Sequence, residues 1–339
     1  MKTIQKKQPS KYPVAVLTSD VHYRASNLAL VHEGMTRALR HAEELKVPLI
    51  DAGDLMDEKA VIRAECANAL IDLFKSAKTR VILLVGNHTK INVKGDEHAL
   101  NFLSPYCEVI DRCFWDEKLK IQFIPYYDNS KDILDALDQI LPGTTIVTHN
   151  GLLGANMGHY VKDTSSLSPE AYRGFRTISG HYHRKQDIDC NPGTFSYLGS
   201  LVTHTFGEAH DGPKGYSILY SDGSLELVPL NLRKHVIIET TMENLPFLQK
   251  QRPEDLLWVK VTASQSELDR LDKEALGNYL QGHSNFKLDK IVLGSSETQA
   301  EEVAKQPLTG EALFDSLIES LPDPEDRKAY LKTLWREIV

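Results

Sequence analysis

The sequence lacks the long apolar run that a membrane-spanning helix requires. No stretch of the 339 residues approaches the roughly 20 consecutive apolar residues that cross a bilayer. The first eleven residues are basic, but polar residues follow where a secretory signal would have its apolar core. We therefore expect a chain without membrane association, located in the cytoplasm.

Cysteine is scarce, with 4 residues in the whole chain. The spacing of Cys66, Cys107, Cys113 and Cys190 matches neither a zinc knuckle nor a disulfide framework. A reducing compartment is the simplest interpretation of this pattern.

Positive charge is also in deficit, with 39 Lys and Arg against 47 Asp and Glu and a formal net charge of −8. This balance argues against a protein that wraps nucleic acid by electrostatic attraction alone. It does not exclude a metal-dependent nuclease, because bound divalent cations offset carboxylates at the place where a phosphate must sit. Any contact with DNA would have to be local, and Arg24, Lys90 and Arg184 are candidates because they lie close in sequence to potential metal ligands. Each could equally be an ordinary solvated side chain.

What the chain does contain is five short apolar runs, each followed by residues of the types that bind metals. Each run is typical of a buried strand. Ligands bind beyond the carboxyl ends of the strands in open α/β sheets, so these residues could share one site. In chain order, the residues that follow the runs are Asp20 and His22, Asp54, Asn87 and His88, His149, and His181 and His183.

The five motifs differ in how strongly they predict a metal site. Asp20 and His22, like His181 and His183, are two residues apart, so both members of each pair face one side of an extended strand. Gly53 permits a sharp turn before Asp54, and Asp57 follows one helical turn later, where it could orient a histidine. Taken alone, His149 is more often a structural residue than a ligand. The order of all five motifs is therefore the informative feature.

The alternation of strands and helices between residues 14 and 232 predicts a layered α/β sandwich that closes with antiparallel strands. Residues 1–13 form a tail before it. The pattern then restarts, so residues 233–294 are expected to form a small α+β capping domain, with one helix from Glu267 to Gln281. A polar linker over residues 295–308 follows.

Residues 309–339 are predicted to form a helix-loop-helix with one apolar stripe on each helix. Two such short helices cannot bury both stripes by themselves. They either fold back onto the main body or dock onto another protein, and the sequence leaves both options open. The residues expected to contact a partner are Leu317, Leu321, Leu331, Leu334 and Trp335.

The ordered motifs Asp-x-His, Gly-Asp-x-x-Asp, Gly-Asn-His, His and Gly-His-x-His resemble those of the calcineurin-like metallophosphoesterase superfamily. Within it, the chain is more similar to the SbcD-type nuclease subunit of double-strand-break repair complexes. It looks most like the recombination endonuclease subunits of large bacteriophages, in which case the location would be the host cytoplasm. Further segments that match are Phe123–Tyr126, Tyr197–Ser200 and Phe206–Glu208.

The resemblance implies an α/β/β/α metallophosphoesterase sandwich with two divalent metal ions. One ion would be held by Asp20, His22, Asp54 and His183. The other would be held by Asp54, Asn87, His149 and His181, with Asp54 bridging. The mixed carboxylate, amide and imidazole set suits manganese first, with iron, zinc or magnesium as alternatives.

The resemblance also implies catalytic roles and a function. His88 would contact the scissile phosphate, and Asp57 would orient it. The chain would be a DNA exonuclease and endonuclease subunit in end processing, recombination and repair. It would dimerise and would work with a coiled-coil ABC-type ATPase of the SbcC type. The alternative is a stand-alone metallophosphoesterase that acts on a small phosphodiester, a phosphomonoester or a phosphoprotein.

One position departs from the family pattern. The superfamily usually has an acidic residue directly after Gly-Asn-His, and this chain has Thr89 there. Threonine carries no negative charge, so the environment of Asn87 and His88 is expected to differ from that of the family.

Overall fold

The computed structural model describes residues 11–59, 61–158, 161–280 and 285–293. The predicted linker and helix-loop-helix, with the five partner-contact residues named above, lie outside these residues. Within them, no helix combines the length and the apolar composition needed to cross a bilayer.

Two six-stranded sheets form the main body. The first has the order β12-β11-β1-β2-β3-β4, and β1 to β4 run parallel in it while β11 and β12 are antiparallel additions. Its strands are β1 (Pro13–Thr18), β2 (Leu49–Asp51), β3 (Val81–Leu84), β4 (Glu108–Ile110), β11 (Gly215–Tyr220) and β12 (Leu225–Pro229).

The second sheet has the order β5-β6-β7-β8-β10-β9, with parallel central strands and an antiparallel strand at each edge. Its strands are β5 (Phe114–Asp116), β6 (Ile121–Ile124), β7 (Thr145–Thr148), β8 (Arg176–Ser179), β9 (Gln186–Asp189) and β10 (Thr194–Tyr197).

The alternation of side chains along β1 shows how the layers pack. Val16 joins a core with the helices α1 (Leu28–Leu45) and α2 (Ala64–Lys75) on the outer face of the first sheet. Ala15 and Leu17 point the other way, into the core between the two sheets. A third core covers the outer face of the second sheet and includes residues of α3 (Ser130–Leu137). The predicted layered α/β/β/α sandwich is therefore confirmed.

A separate three-stranded parallel sheet forms from the residues predicted as a capping domain. Its strands are β13 (His235–Thr241), β14 (Leu256–Ala263) and β15 (Phe286–Val292). Alternate residues of β14 are buried, and the buried face packs on two short helices, α4 (Gln265–Leu268) and α5 (Lys273–Tyr279), and on a 3-10 helix (Met242–Lys250).

The single helix predicted from Glu267 to Gln281 is thus two shorter helices. Each has its own N-terminal cap. Ser264 and Glu267 form a capping box at α4, and the Asp272 carboxylate accepts a hydrogen bond from the Ala275 amide at α5. The second cap begins a new helix within the apolar pattern, and periodicity alone does not show such a break.

Candidate metal centre

All five strands that precede the ligand motifs end at the same edge of their sheets. β1, β2 and β3 are parallel neighbours in the first sheet, and β7 and β8 are parallel neighbours in the second. Just beyond the strands, the Asp20 amide donates to the Gly53 carbonyl and the His22 amide donates to the Asp54 carbonyl, both at 3.0 Å. The topology therefore brings together all seven residues that the sequence predicts as ligands.

The backbone at these ligands is strained. Asp20 (φ 49°), His22 (φ 50°), Asp54 (φ 58°) and His181 (φ 90°) all have positive φ. Non-glycine residues rarely adopt this conformation, which costs about 1–3 kcal/mol each and clusters at functional sites. The fold thus holds four of the seven side chains in orientations that an unconstrained chain would avoid.

Two glycines make the close approach of these segments possible. A Cβ atom on Gly53, which has φ 111°, would lie 2.2 Å from Nδ1 of His149. A Cβ atom on Gly86 would lie 2.2 Å from Oδ1 of Asp54. Both glycines are therefore required by the packing of the ligands themselves.

The first group of ligand atoms comes from Asp20, His22 and His183, which lie within 4.8 Å of one another. Nε2 of His22 and Nε2 of His183 are 3.1 Å apart. On the far sides of the rings, Nδ1 of His22 lies 3.1 Å from Asp57 Oδ1, and Nδ1 of His183 donates to Glu208 Oε1 at 2.9 Å. The paired Nε2 atoms are thus the nitrogens left for a metal ion.

The second group comes from Asp54, Asn87, His149 and His181. Nδ1 of His149 donates to the Ala52 carbonyl at 2.7 Å, which leaves its Nε2 facing Asp54 Oδ2 at 3.0 Å and Asn87 Oδ1 at 3.1 Å. Nδ1 of His181 also faces Asn87 Oδ1, at 2.9 Å.

Asp20 and Asp54 lie between the two groups. The resemblance implied that Asp54 alone bridges the two ions, whereas Asp20 takes part in a cluster with His22 and His183 and in another with Asp54 and His149. Asp20 is fully buried and Asp54 is 2% exposed, so both carboxylates lie inside the protein.

The donor set fits divalent cations. Carboxylate oxygens, an amide oxygen and imidazole nitrogens converge there, and such a mixed oxygen and nitrogen set is typical of divalent-metal sites. Asp20, His22 and His183 would hold one ion, and Asn87, His149 and His181 would hold the other, with Asp54 beside both. The hydrogen bond donated by the outer Nδ1–H fixes the orientation of the imidazole ring. Metal-binding histidines usually donate such a hydrogen bond.

The pKa values reflect this crowding of charges. Burial opposes ionisation of Asp54 and protonation of His149, but their mutual attraction and hydrogen bond outweigh burial, so the pKa of Asp54 falls well below its usual range and the pKa of His149 rises to about 9. Burial and the neighbouring charge of His149 lower the pKa of His181 to about 4. The centre thus favours negative carboxylates beside a protonated His149, whose charge a metal ion would replace.

His88 stands at the mouth of the centre and is exposed. Its amide donates to Asp54 Oδ1 at 2.8 Å, and its Nδ1 donates to the main-chain carbonyl of Asp57 at 2.9 Å. Asp57 therefore contacts His88 through its backbone, while its carboxylate faces His22 and lies 3.5 Å from Arg24. Asp57, Asn87 and His88 line a cavity of about 350 Å³ together with Glu58 and Lys59, so a substrate could reach Nε2 of His88.

Comparisons with known proteins add little to this geometry. No protein-family model matches the sequence, and no curated protein matches it. Among solved structures, the chain is similar to a nuclease described as MPE from Pseudomonas putida, with 17% identity and a TM-score of 0.35, over 60% of this chain and 82% of that one. It is also similar to a novel archaeal phosphodiesterase, with 12% identity and a TM-score of 0.35, over 65% of this chain and 100% of that one. At these values neither likeness shows what this chain binds or cleaves.

Thr89 has a structural role in the Gly-Asn-His turn. It is fully buried, its hydroxyl accepts from the Gly86 amide at 3.0 Å, and it donates to the Gly86 carbonyl at 3.1 Å. Thr89 thus closes the turn on itself with a neutral side chain.

The three candidate DNA contacts lie in different environments. Lys90 is 4% exposed and forms an ion pair with Asp128 at 2.7 Å, so its charge is already neutralised. Arg24 is half-buried beside Asp57, and Arg184 is half-buried with no side-chain hydrogen bond recorded to any described residue. Arg24 thus lies beside a carboxylate that faces the predicted ligand His22.

Glu208 is the main site residue that the sequence argument missed. It lies in a 3-10 helix (Phe206–Glu208), and besides contacting His183 it forms an ion pair with Lys214 at 3.1 Å and accepts a hydrogen bond from Ser200 at 3.1 Å. His204, from the preceding loop, donates from Nε2 to the Asp20 carbonyl at 2.9 Å. No regular spacing links Glu208 to His183, and the one signal in the sequence was that the resemblance described above included Phe206–Glu208.

Proposed function

We propose that the chain is a two-metal phosphodiesterase that hydrolyses DNA as a nuclease subunit in end processing, recombination and repair. The observation that carries this proposal is the convergence of seven buried or half-buried ligands into two adjoining groups, with His88 at their open side. Manganese is the proposed ion, because the donors are oxygen and imidazole nitrogen without thiolate.

The geometry supports a proposed role for each residue. Bound ions would supply positive charge to the phosphate and lower the pKa of an attacking water. His88, fixed by the Asp57 carbonyl, offers Nε2 to the phosphate or to the leaving oxygen, where it can stabilise charge or transfer a proton. Asp57 and Glu208 keep His22 and His183 turned towards the centre.

The direct test measures degradation of linear DNA by the purified protein with manganese. We expect His88→Ala to abolish cleavage while the metal content stays at the wild-type level, because His88 is not placed among the ligands. His32→Ala is the matched control, since His32 lies on α1 and contacts Tyr23. Full activity of His88→Ala would remove His88 from the mechanism, and absence of any manganese-dependent cleavage by the wild type would contradict the proposed function.

The proposed partners are a second copy of the chain and a coiled-coil ABC-type ATPase of the SbcC type, and the proposed location is the cytoplasm. Support for the ATPase comes from the two amphipathic patterns in residues 309–339. Deletion of residues 309–339 should abolish binding of the ATPase and preserve binding of manganese. Retained ATPase binding would show that the interface lies elsewhere.

A stand-alone phosphoesterase is the second candidate, and a specific observation favours it. Lys90, a predicted DNA contact, is buried and already paired with Asp128, which removes one of the cations that would bind a DNA strand. Turnover of DNA, of bis(4-nitrophenyl) phosphate and of 4-nitrophenyl phosphate separates the two functions. A strong preference for the monoester would favour the second candidate.

A further inference from the structure

Lys214 is a buried lysine that lies next to the predicted ligand His183. Its side chain is 8% exposed, and its Nζ donates to the His183 carbonyl at 2.6 Å and to Asp211 Oδ2 at 3.0 Å. The same Nζ forms an ion pair with Glu208 Oε2 at 3.1 Å. An ammonium group has three N–H donors, so these three acceptors match its capacity. Since a buried charge is costly unless it is paired and hydrogen-bonded, the ammonium group is fixed at this place.

Lys214 and Glu208 together hold His183 at two points. Oε1 of Glu208 accepts a hydrogen bond from Nδ1 of the His183 ring at 2.9 Å, while Oε2 of the same carboxylate contacts Lys214. Lys214 also holds the main chain of His183 through its carbonyl, which accepts from the Ser200 amide as well, at 3.0 Å. The imidazole, its main chain, the carboxylate and the ammonium group thus form a closed ring of contacts, and a shift of Lys214 would move the imidazole.

The same carboxylate also supports Asp20. Oε2 of Glu208 accepts a hydrogen bond from the His204 amide at 3.3 Å, and Nε2 of the His204 ring donates to the Asp20 carbonyl at 2.9 Å. Asp20 and His183 are two of the three residues in the first group of ligand atoms. The position of Glu208, which Lys214 helps to fix, therefore affects most of the first group.

The second group of ligand atoms has no comparable support. Nδ1 of His149 donates to a neutral main-chain carbonyl, that of Ala52, and Nδ1 of His181 faces Asn87, which is itself a predicted ligand. In the part of the chain that the structure describes, no lysine or arginine side chain forms a hydrogen bond or an ion pair with Asn87, His149 or His181. The two groups thus differ in the residues that hold their ligands in place.

We propose that Lys214 is a positioning residue that selectively raises the affinity of the first ion site. It acts through Glu208 and the His183 carbonyl, and it does not itself touch an ion or a substrate. Its charge taken alone would repel a cation, but Glu208 and Asp211 contact the ammonium group and offset that charge. We therefore expect its effect on geometry to exceed its effect on charge. The inference rests on the proposed two-metal function and adds that the affinities of the two ions can be changed separately.

The test measures manganese binding to the metal-free, full-length protein by isothermal titration. Lys214→Met should weaken the binding of one ion about tenfold, the lower end of the range for loss of a residue that supports a metal ligand, and should change the other less than threefold. Loss of a positive charge without loss of positioning would instead raise the affinity, so the sign of the change separates the two effects. Lys214→Arg keeps the charge and should recover part of the loss. Lys260→Met is the matched control, because Lys260 is 19% exposed and pairs with Glu239 in the capping sheet.

Anomalous diffraction identifies the ion that is weakened. In crystals of Lys214→Met with limiting manganese, the peak at the first group of ligands should lose occupancy relative to the peak at the second group. If Lys214→Met does not fold, the double variant with Asp211→Asn removes one of the carboxylates that the lysine leaves unpaired, and it should show the same selective loss. Circular dichroism confirms that each variant is folded before manganese is added.

Three outcomes would overturn the role of Lys214 without touching the proposed function. The first is a manganese affinity of Lys214→Met that equals or exceeds that of the wild type at both sites. The second is an equal loss at both sites, which would mark Lys214 as a general structural residue. The third is a selective loss at the second group of ligands. A wild type that binds no manganese at all would instead contradict the proposed two-metal function, and this inference with it.

Discussion

Nε2 of His22 and Nε2 of His183 face each other at 3.1 Å, and a carboxylate lies against the outer nitrogen of each ring. Asp57 is that carboxylate for His22, and Glu208 is that carboxylate for His183. With Nδ1 of both rings directed at these carboxylates, the facing nitrogens can present lone pairs to a common point. The two imidazoles are therefore arranged to share a cation, and we expect the carboxylates behind them to increase metal affinity.

Glu208→Gln tests this arrangement. The amide keeps a similar shape but loses the charge that fixes the His183 ring, so manganese affinity should fall about 10- to 100-fold. Isothermal titration of the protein with manganese measures the change. Glu226→Gln is the matched control, because Glu226 is exposed and bonds to Tyr220. Equal affinities of Glu208→Gln and the wild type would show that Glu208 has no part in metal binding.

Thr89→Val should destabilise the Gly-Asn-His turn. Valine has a similar shape but leaves the buried Gly86 amide without its acceptor, so the free energy of unfolding should fall by about 1–3 kcal/mol. Thr89→Ser retains the hydroxyl and should be much closer to the wild type. Urea unfolding followed by circular dichroism checks both variants. If valine proved as stable as serine, the hydroxyl would not be what holds the turn.

Asp51 should make stability depend on pH. Burial raises the pKa of Asp51 to about 7, against the hydrogen bond from Thr18 that lowers it. Because this folded-state pKa lies above that of an unfolded aspartate, about 3.9, the folded chain binds more protons, and stability falls as pH rises from about 4 to 7. Asp51→Asn removes this loss. In EDTA, the melting temperature of Asp51→Asn minus that of the wild type should therefore be larger at pH 8 than at pH 5. A difference that does not change with pH would contradict the assignment.

Removal of metal should destabilise the protein. An ion that binds only the folded chain adds about 2.7 kcal/mol of stability at a concentration of 100 times its Kd. The melting temperature should therefore rise when manganese is added to EDTA-treated protein, and Asp54→Asn should lose most of this rise. The same rise in Asp54→Asn would mean that manganese binds elsewhere.

The fold and the clustering of the ligands could be predicted because each depends on a local pattern. Apolar runs followed by Asp20, Asp54 or His149 mark strand ends, and the parallel topology then brings those ends to one edge. The order of the motifs also indicated the layered sandwich. Residue spacing within each motif did not predict the local geometry, because Asp20, His22 and His181 lie beyond the strand ends with positive φ and not on an extended strand.

Contacts between residues distant in sequence could not be predicted in the same way. Glu208 reaches His183 across 25 residues without a periodic pattern, and the Asp57 carboxylate faces His22, whereas only its carbonyl contacts His88. Lys90 looked available for DNA because sequence does not reveal burial or its pairing with Asp128. These features depend on how loops pack, which local spacing does not encode.

Anomalous diffraction at the manganese absorption edge, from crystals soaked in manganese, tests the central claim most directly. We expect two neighbouring peaks at the carboxyl ends of β1–β3 and β7–β8. One peak should contact Asp20, His22 and His183, and the other should contact Asn87, His149 and His181. Peaks located elsewhere, or none at this edge of the sheets, would contradict the account.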